Sequence, residues 1–311
     1  AGTAVLEVDE AVLPTLARAT RAAVIVLLNL SREYQPGHGI ADVLAGWREL
    51  FDSLDWPCTV VANLDDPLVA WAVTNAPRIT GVAGGLLWPQ DALLCPDCGV
   101  RLRWSGPRWW CDLCGAARPE PAWLLTDDEM IVGPEVTTPL RLGIGGRAVP
   151  ADALAAVAAA HLLGVPVRDA GRAVGRVSEV DGRYAGYPAD DAHTVRLLLA
   201  DNPAGWREVI DTAGSTDLPV IFTMEPDGVA DAVALWDAPG ELLHGIPVTV
   251  AGTRRYDLAA WLEACGVEVA GVVEDALDAV AAQPAGEVLV AANHPAFAKL
   301  RARLRRQRSG S

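Results

Sequence analysis

Lysine is almost absent from this chain of 311 residues: Lys299 is the single lysine, and the other cationic side chains are arginines. No GxxxxGK[ST] phosphate loop is present, and one lysine near the C-terminus could not supply one. The glycines at Gly84–Gly85 and Gly145–Arg147 do not match this pattern, and no GxGxxG run follows a predicted strand. The sequence therefore lacks both common glycine-rich motifs for nucleotide phosphates.

Long hydrophobic runs are also lacking. The longest apolar stretch, Ala22–Leu30, is strand-sized, whereas a membrane-spanning helix needs about 20 apolar residues, so we predict no membrane span. No signal-peptide pattern is present, and we expect a cytoplasmic location. The net charge of −15 disfavours nonspecific binding to nucleic acid or anionic lipid. The five histidines have no metal-ligand spacing, and no Ser/His/Asp or Cys/His nucleophile pair is evident.

Cysteine is scarce, but four of the six cysteines form two CxxC pairs, CPDC and CDLC, separated by twelve residues. These four are Cys95, Cys98, Cys111 and Cys114. Two such pairs can bring four thiolates to one tetrahedral ion, and a full shell of four is typical of structural Zn²⁺. Gly99 and Gly115 follow the pairs, where a tight turn needs positive φ. A pair of disulfides and an iron–sulfur site are the alternatives.

Short β-branched runs alternate with helical patterns, which predicts βαβ units and mostly parallel sheets, an α/β fold. The strands predicted in the first half are Thr3–Asp9, Ala22–Leu30, Thr59–Leu64 and Ile79–Gly84, with a β segment at Thr138–Leu142. The predicted helices are Ile40–Leu54, Asp66–Asn75 and Ala151–Leu163.

A stretch rich in Gly, Pro and Asp, Val180–His193, predicts a domain boundary. Beyond it a second alternating series begins. Its predicted strands are Val195–Ala200, Pro219–Thr223, Pro247–Ala251, Glu268–Ala270 and Val288–Ala292. Its predicted helices are Gly205–Ala213, Asp257–Cys265, Glu274–Ala282 and Pro295–Arg305. We therefore predict a first α/β domain at residues 1–190, with a cysteine-bearing insert at 93–123, and a Rossmann-like domain at 191–311.

Several polar side chains lie at predicted strand ends, where ligands of α/β sheets bind. Glu7 could hold Mg²⁺ beside nucleotide phosphates, although a solvated loop acid fits the same pattern. Asn63, Asp65 and Asp66 follow another strand, and Asp66 is equally typical of a helix cap.

Two further polar side chains belong to the second half. Asn202, in DNPAG, is either a ligand for substrate or nucleotide, or the N-cap of a helix that starts with proline. Asp237, in WDAPGE, is by itself typical of a turn aspartate.

Several segments occur in an order that matches one family. They are VLEVDEAVLP from Val5, IVLLNLSRE from Ile25, ANLDDPLVAW from Ala62, the CPDC…CDLC insert, PEPAW from Pro119, LLLADNPAGWREV from Leu197, ALWDAPGELL from Ala234 and LVAANHPAF from Leu289. Over nearly the whole chain these segments resemble the MurT family, the Mur ligase-like subunits of lipid II isoglutaminyl synthase.

The resemblance implies a Mur ligase central domain, incomplete at its N-terminus and carrying an inserted Cys₄ zinc ribbon, followed by a Rossmann-like domain. It implies ATP and Mg²⁺ as cofactors, and amidation of the D-glutamate of lipid II with ammonia from a GatD-like glutaminase. Glu7 would be a metal-side acid, and the loop of Asn63, Asp65 and Asp66 would lie near the base and ribose. Asp237 would be an active-site acid that orients a partner histidine or positions ammonia.

Four departures from the family qualify this expectation. The phosphate-loop region is absent, EYQPGHGI follows Arg32 in place of a DQLDRYGE-like run, AVPADA at Ala148–Ala153 replaces a YNxxNA-like helix start, and Asp201 occupies a lysine position. Either the phosphate loop precedes Ala1 in a longer chain, or this is a catalytically silent homologue. A silent homologue would not bind ATP and would act as a scaffold or regulatory partner of an amidotransferase.

Overall fold

A computed structural model of the chain describes residues 2–32, 39–180, 184–226 and 230–309. It contains two compact units, Ala1–Leu142 with Val149–Arg176, and Gly143–Ala148 with Val177–Ser311. Residues 181–183, inside the predicted boundary Val180–His193, lie outside the described residues. Within the described ranges, none of the helices combines the length and apolar character needed to cross a membrane.

The first unit alternates strands and helices before and after the cysteine segment. It begins with α1 (Leu13–Thr20), β1 (Val24–Leu27), α2 (Ile40–Asp52), β2 (Thr59–Asn63), α3 (Pro67–Ala72) and β3 (Ile79–Ala83). It continues with β4 (Arg103–Ser105), β5 (Arg108–Trp110), β6 (Trp123–Leu125), β7 (Met130–Gly133), β8 (Val136–Pro139), α4 (Val149–Leu162) and α5 (Val167–Val174).

Six of these strands form one sheet in the order β1-β2-β3-β6-β7-β8. Strands β1, β2, β3 and β6 are parallel to one another. Strand β7 pairs antiparallel with β6, and β8 pairs antiparallel with β7. Val60 and Ala62 of β2 pack with α2 and α3 on one face, while Val61 packs with α4 on the other. Because both faces are covered, β2 is a nearly continuous apolar run, as parallel strands usually are.

The predicted strand Thr3–Asp9 is wrong. Residues 3–9 have neither helix nor strand structure, and Val5 is 89% exposed. The run has the β-branched composition of a strand, but none of the described strands pairs with it. A strand without a partner leaves its backbone groups to water.

The second unit has one sheet with helices on both faces. Its elements are β9 (Ala185–Pro188), β10 (His193–Leu199), α6 (Pro203–Gly214), β11 (Val220–Thr223), α7 (Ala230–Asp237), β12 (Val248–Ala251), α8 (Arg255–Ala264), β13 (Val269–Val272), α9 (Ala276–Ala281), β14 (Gly286–Ala292) and α10 (His294–Ser309). The sheet order is β13-β12-β11-β14-β10-β9, parallel except for β9. The predicted α/β class with parallel sheets is confirmed.

Candidate functional site

The cysteine segment folds as two turns joined to a small hairpin, and its four sulfurs converge. The Sγ atoms lie within 4.8 Å of one another, with Cys95 to Cys114 at 3.5 Å and Cys98 to Cys111 at 3.4 Å. A tetrahedron of 2.3 Å Zn–S bonds has sulfur–sulfur edges of about 3.8 Å, so the arrangement fits one metal ion. We call residues 93–123 the ribbon.

The backbone of the ribbon favours thiolate ligands. Gly99 and Gly115 have φ of +71° and +76°, which confirms the positive φ predicted after each cysteine pair. Hydrogen bonds from the backbone N–H groups of Cys114 and Leu113 lower the pKa of the Cys111 thiol to about 7, whereas burial and hydrogen bonds among the sulfurs raise the pKa of Cys98 and Cys114. Metal binding requires the deprotonated thiolate, so these amides assist the chemistry of the site.

A second polar cluster lies at the carboxyl end of β2, next to the ribbon. The Asp66 carboxylate accepts hydrogen bonds from Leu68 N (2.8 Å) and Val69 N (3.4 Å), which caps α3, and from Leu30 N (2.8 Å) after β1. Burial raises the pKa of Asp66 to about 6, although these three N–H groups oppose the shift. Asp66 therefore connects two strand ends and a helix.

Asp65 points to the other side of this loop. Its Oδ1 accepts from Arg118 Nε at 2.6 Å, and its Oδ2 accepts from Gly85 N at 2.6 Å. The side chains are 1% exposed for Asp65 and 9% for Arg118. Asn63 Oδ1 accepts from Asp65 N (3.1 Å), and Asn63 Nδ2 donates to Gly85 O (3.4 Å). Burial raises the pKa of Asp65 more than the charge of Arg118 lowers it.

In the second unit, Asn202 is the N-cap of α6, and its Oδ1 accepts from Gly205 N at 2.8 Å. The neighbouring Asp201 accepts from His294 N at 2.6 Å, which ties the end of β10 to the start of α10. These are contacts of the fold at the carboxyl edge of the sheet, where a ligand of a parallel sheet would also lie.

Asp237 ends α7 and is exposed. The turn behind it is tightly packed: a Cβ on Gly240 would lie 2.6 Å from Cys265 Sγ and 2.7 Å from the Trp261 ring. Trp236, beside Asp237, is 58% exposed. A fixed turn thus presents a carboxylate and an indole to the surface.

No family model matches the chain. One curated relative is similar in sequence: "Lipid II isoglutaminyl synthase (glutamine-hydrolyzing) subunit MurT" of Streptococcus pneumoniae. The two are 24% identical over 303 residues, which covers 87% of this chain and 66% of the relative. The chain therefore spans slightly less than two thirds of that relative's length.

Two solved structures share the fold. A pseudomurein peptide ligase type C from Methanothermus fervidus superposes with a TM-score of 0.71 at 15% identity, covering 94% of this chain and 65% of that one. MurF from Acinetobacter baumannii gives a TM-score of 0.65 at 14% identity, covering 94% and 60%. The chain is MurT-like and has the Mur ligase fold.

The residues predicted as a site in this MurT-like chain are divided between the two units. The four cysteines meet, as do Asn63, Asp65 and Asp66. Glu7 is exposed in the irregular segment 2–9. Asn202 and Asp237 belong to the second unit.

The sequence did not indicate the contacts that Arg118 and Trp109 make outside the ribbon. Arg118 pairs with a carboxylate 53 positions away, and Trp109 Nε1 donates to Leu64 O at 3.1 Å across 45 positions. No spacing rule indicates such distant contacts. The available signal was chemical: an arginine and a tryptophan beside a metal ribbon, and two adjacent aspartates in an apolar strand-end segment.

Proposed function

We propose that this chain is the MurT-like subunit of a glutamine-dependent amidotransferase-ligase that amidates the D-glutamate of lipid II in peptidoglycan synthesis. The observation that carries the proposal is the sequence similarity to MurT, which covers 87% of the chain. Its partner would be a GatD-like glutaminase that supplies ammonia, and its location would be the cytoplasm. The four cysteines would hold one structural Zn²⁺, since four thiolates leave no open coordination position.

We assign Asp237 to the contact with the glutaminase partner. It is exposed on a turn fixed by Gly240 against Trp261, and it adjoins the exposed Trp236. An accessible carboxylate beside an aromatic side chain suits contact with a second protein. There the carboxylate would orient a histidine of the glutaminase or position the ammonia.

The test uses Asp237→Asn in a complex with a GatD-like glutaminase, with Asp278→Asn, another exposed acid of the second unit, as the control. We expect glutamine-dependent amidation to fall by about 100-fold or more in Asp237→Asn and to stay unchanged in the control. Activity with added ammonium salt separates the roles: retention assigns Asp237 to the glutaminase, loss assigns it to the ligase. Unchanged glutamine-dependent activity in Asp237→Asn would contradict the assignment.

ATP and Mg²⁺ belong to the proposal as well, although the two acids at the carboxyl end of β2 are already engaged in the fold. The carboxylate oxygens of Asp65 and Asp66 are engaged by backbone N–H groups and Arg118. Asn63, Asp65, Asp66 and Asn202 remain the proposed nucleotide-side groups and Glu7 the proposed metal-side acid. The side-chain oxygens of Asn63 and Asn202 are likewise engaged, by Asp65 N and Gly205 N. We assign no phosphoryl-transfer step to any of them.

The engagement of Asp65 and Asp66 by backbone N–H groups and Arg118 favours a second candidate function. This candidate is a catalytically silent MurT homologue that acts as a scaffold or regulatory partner of an amidotransferase. Calorimetric titration of ATP with Mg²⁺ into the chain, alone and with a GatD-like partner, distinguishes the two. Micromolar binding supports the ligase subunit. Absence of binding in both samples, with the partner still bound, supports the silent homologue.

A further inference from the structure

The ribbon contacts the strand-end loop Asn63–Asp66 at two points. Trp109 Nε1 donates to Leu64 O at 3.1 Å, and Arg118 Nε donates to Asp65 Oδ1 at 2.6 Å. A third contact reaches the following helix, where Trp71 Nε1 donates to Asp97 Oδ1 at 2.6 Å. Trp109, Arg118 and Asp65 are nearly buried, so the first two hydrogen bonds are shielded from competition by water.

Trp109 and Arg118 are held together by the ribbon's own backbone. Arg118 N donates to Trp109 O at 2.9 Å, and Trp110 forms a β-bridge with Ala117. This pair of segments flanks the turn of Cys111 and Cys114, which supplies half of the metal centre. A two-stranded hairpin of this size is marginally stable alone, so the metal is expected to hold the pair in register.

Asp65 also contacts the segment that directly follows β3. Asp65 Oδ2 accepts from Gly85 N at 2.6 Å, and Gly85 has a φ of +103°. A buried carboxylate that loses its cation has a strong tendency to move or to take up a proton. The hydrogen bond to Gly85 therefore depends on Arg118 staying in place.

We propose that metal occupancy of the four-cysteine centre sets the position of Asp65 and Gly85 through Arg118 and Trp109, with Arg118 as the positioning residue. The metal-bound ribbon then holds these residues in position at the carboxyl edge of the first sheet. This role does not depend on whether the chain binds ATP. A result against the proposed ligase function would therefore not contradict it.

Hydrogen exchange of backbone amides, followed by mass spectrometry or NMR, tests whether metal occupancy fixes Asp65 and Gly85. Gly85 N reports on the Asp65 bond, and Leu30 N, bonded to Asp66 at 2.8 Å, is the internal reference. Removing zinc from the wild-type protein with a chelator, with zinc content measured in parallel, should speed exchange at Gly85 by about tenfold or more and at Leu30 much less.

Arg118→Ala should give the same local change while the protein keeps its zinc. The matched control is Arg108→Ala, because Arg108 pairs with Glu120 on the ribbon surface, where both side chains are exposed. Unchanged exchange at Gly85 after zinc removal, or in zinc-loaded Arg118→Ala, overturns the proposal. If Arg118→Ala does not fold, the comparison of zinc-loaded and zinc-free wild-type protein decides.

Discussion

The ion pair of Arg118 and Asp65 allows a quantitative test of the energetics. The two side chains are 9% and 1% exposed, and their atoms are 2.6 Å apart. Breaking a buried pair by removing one partner costs about 3–5 kcal/mol, because the remaining charge is left without compensation. Arg118→Ala leaves the buried Asp65 carboxylate without its cation, so we expect the variant to lose about 3 kcal/mol of unfolding free energy at pH 7.

The loss should depend on pH in a defined direction. Burial already raises the pKa of Asp65 against the opposing charge of Arg118, and Arg118→Ala removes that opposition. The folded variant thus binds a proton more tightly than the unfolded chain, whose aspartate pKa is about 3.9. The resulting stabilisation is full below that value and is lost as pH rises through the folded pKa. The deficit relative to wild type should therefore be larger at pH 7 than at pH 5.

Urea unfolding followed by circular dichroism, in zinc-containing buffer at both pH values, measures this deficit against wild type and Arg108→Ala. The double variant Arg118→Met with Asp65→Leu should recover much of the loss, because it removes both charges together. A deficit below about 1 kcal/mol at pH 7, as for a surface pair, would refute the reasoning. A deficit that grows toward pH 5 would refute it as well.

Three further predictions concern other sites. Because burial raises the pKa of Asp66 from 3.8 to about 6, the stability of wild type relative to Asp66→Asn should fall by up to about 3 kcal/mol between pH 4 and 7, measured by urea unfolding. Hydrogen bonding to Asp190 raises the pKa of His193, so the advantage of wild type over His193→Gln should be full below about pH 6.5 and lost as pH rises through the raised pKa, measured by thermal melts. Gly84→Ala places a Cβ 2.6 Å from Ala151 Cα and should cost about 1–3 kcal/mol by urea unfolding; an unchanged midpoint would contradict that contact.

The features that the sequence predicted well are those encoded over short distances. The cysteine spacing predicted the converging sulfurs, and the positive φ at Gly99 and Gly115 followed from turn chemistry. Most predicted strands are present within a few residues, because alternating and continuous apolar runs are local signals. The alternative of a helix cap for Asp66 was also correct, since an acid just before Pro67 is a local pattern.

The features that the sequence could not predict depend on distant partners. The strand expected at Thr3–Asp9 has the right composition but no neighbour among the described strands. Strand β9 pairs antiparallel with β10 inside a stretch whose Gly, Pro and Asp content indicated only a boundary. Gly143–Ala148 packs in the second unit, where Arg147 pairs with Asp211 at 2.7 Å, although the chain on both sides belongs to the first unit.

The acids of this chain fall into two groups by their surroundings, and this division bears on function more than their position at strand ends does. Asp65 and Asp66 are buried and receive four backbone N–H groups and one guanidinium between them. A carboxylate held in this way stabilises the fold, and a ligand would have to displace those donors to reach it. Asp237 is exposed to solvent beside the exposed Trp236, so a partner protein can reach it at the surface. Of these acids, Asp237 is therefore the one whose substitution should change activity more than stability.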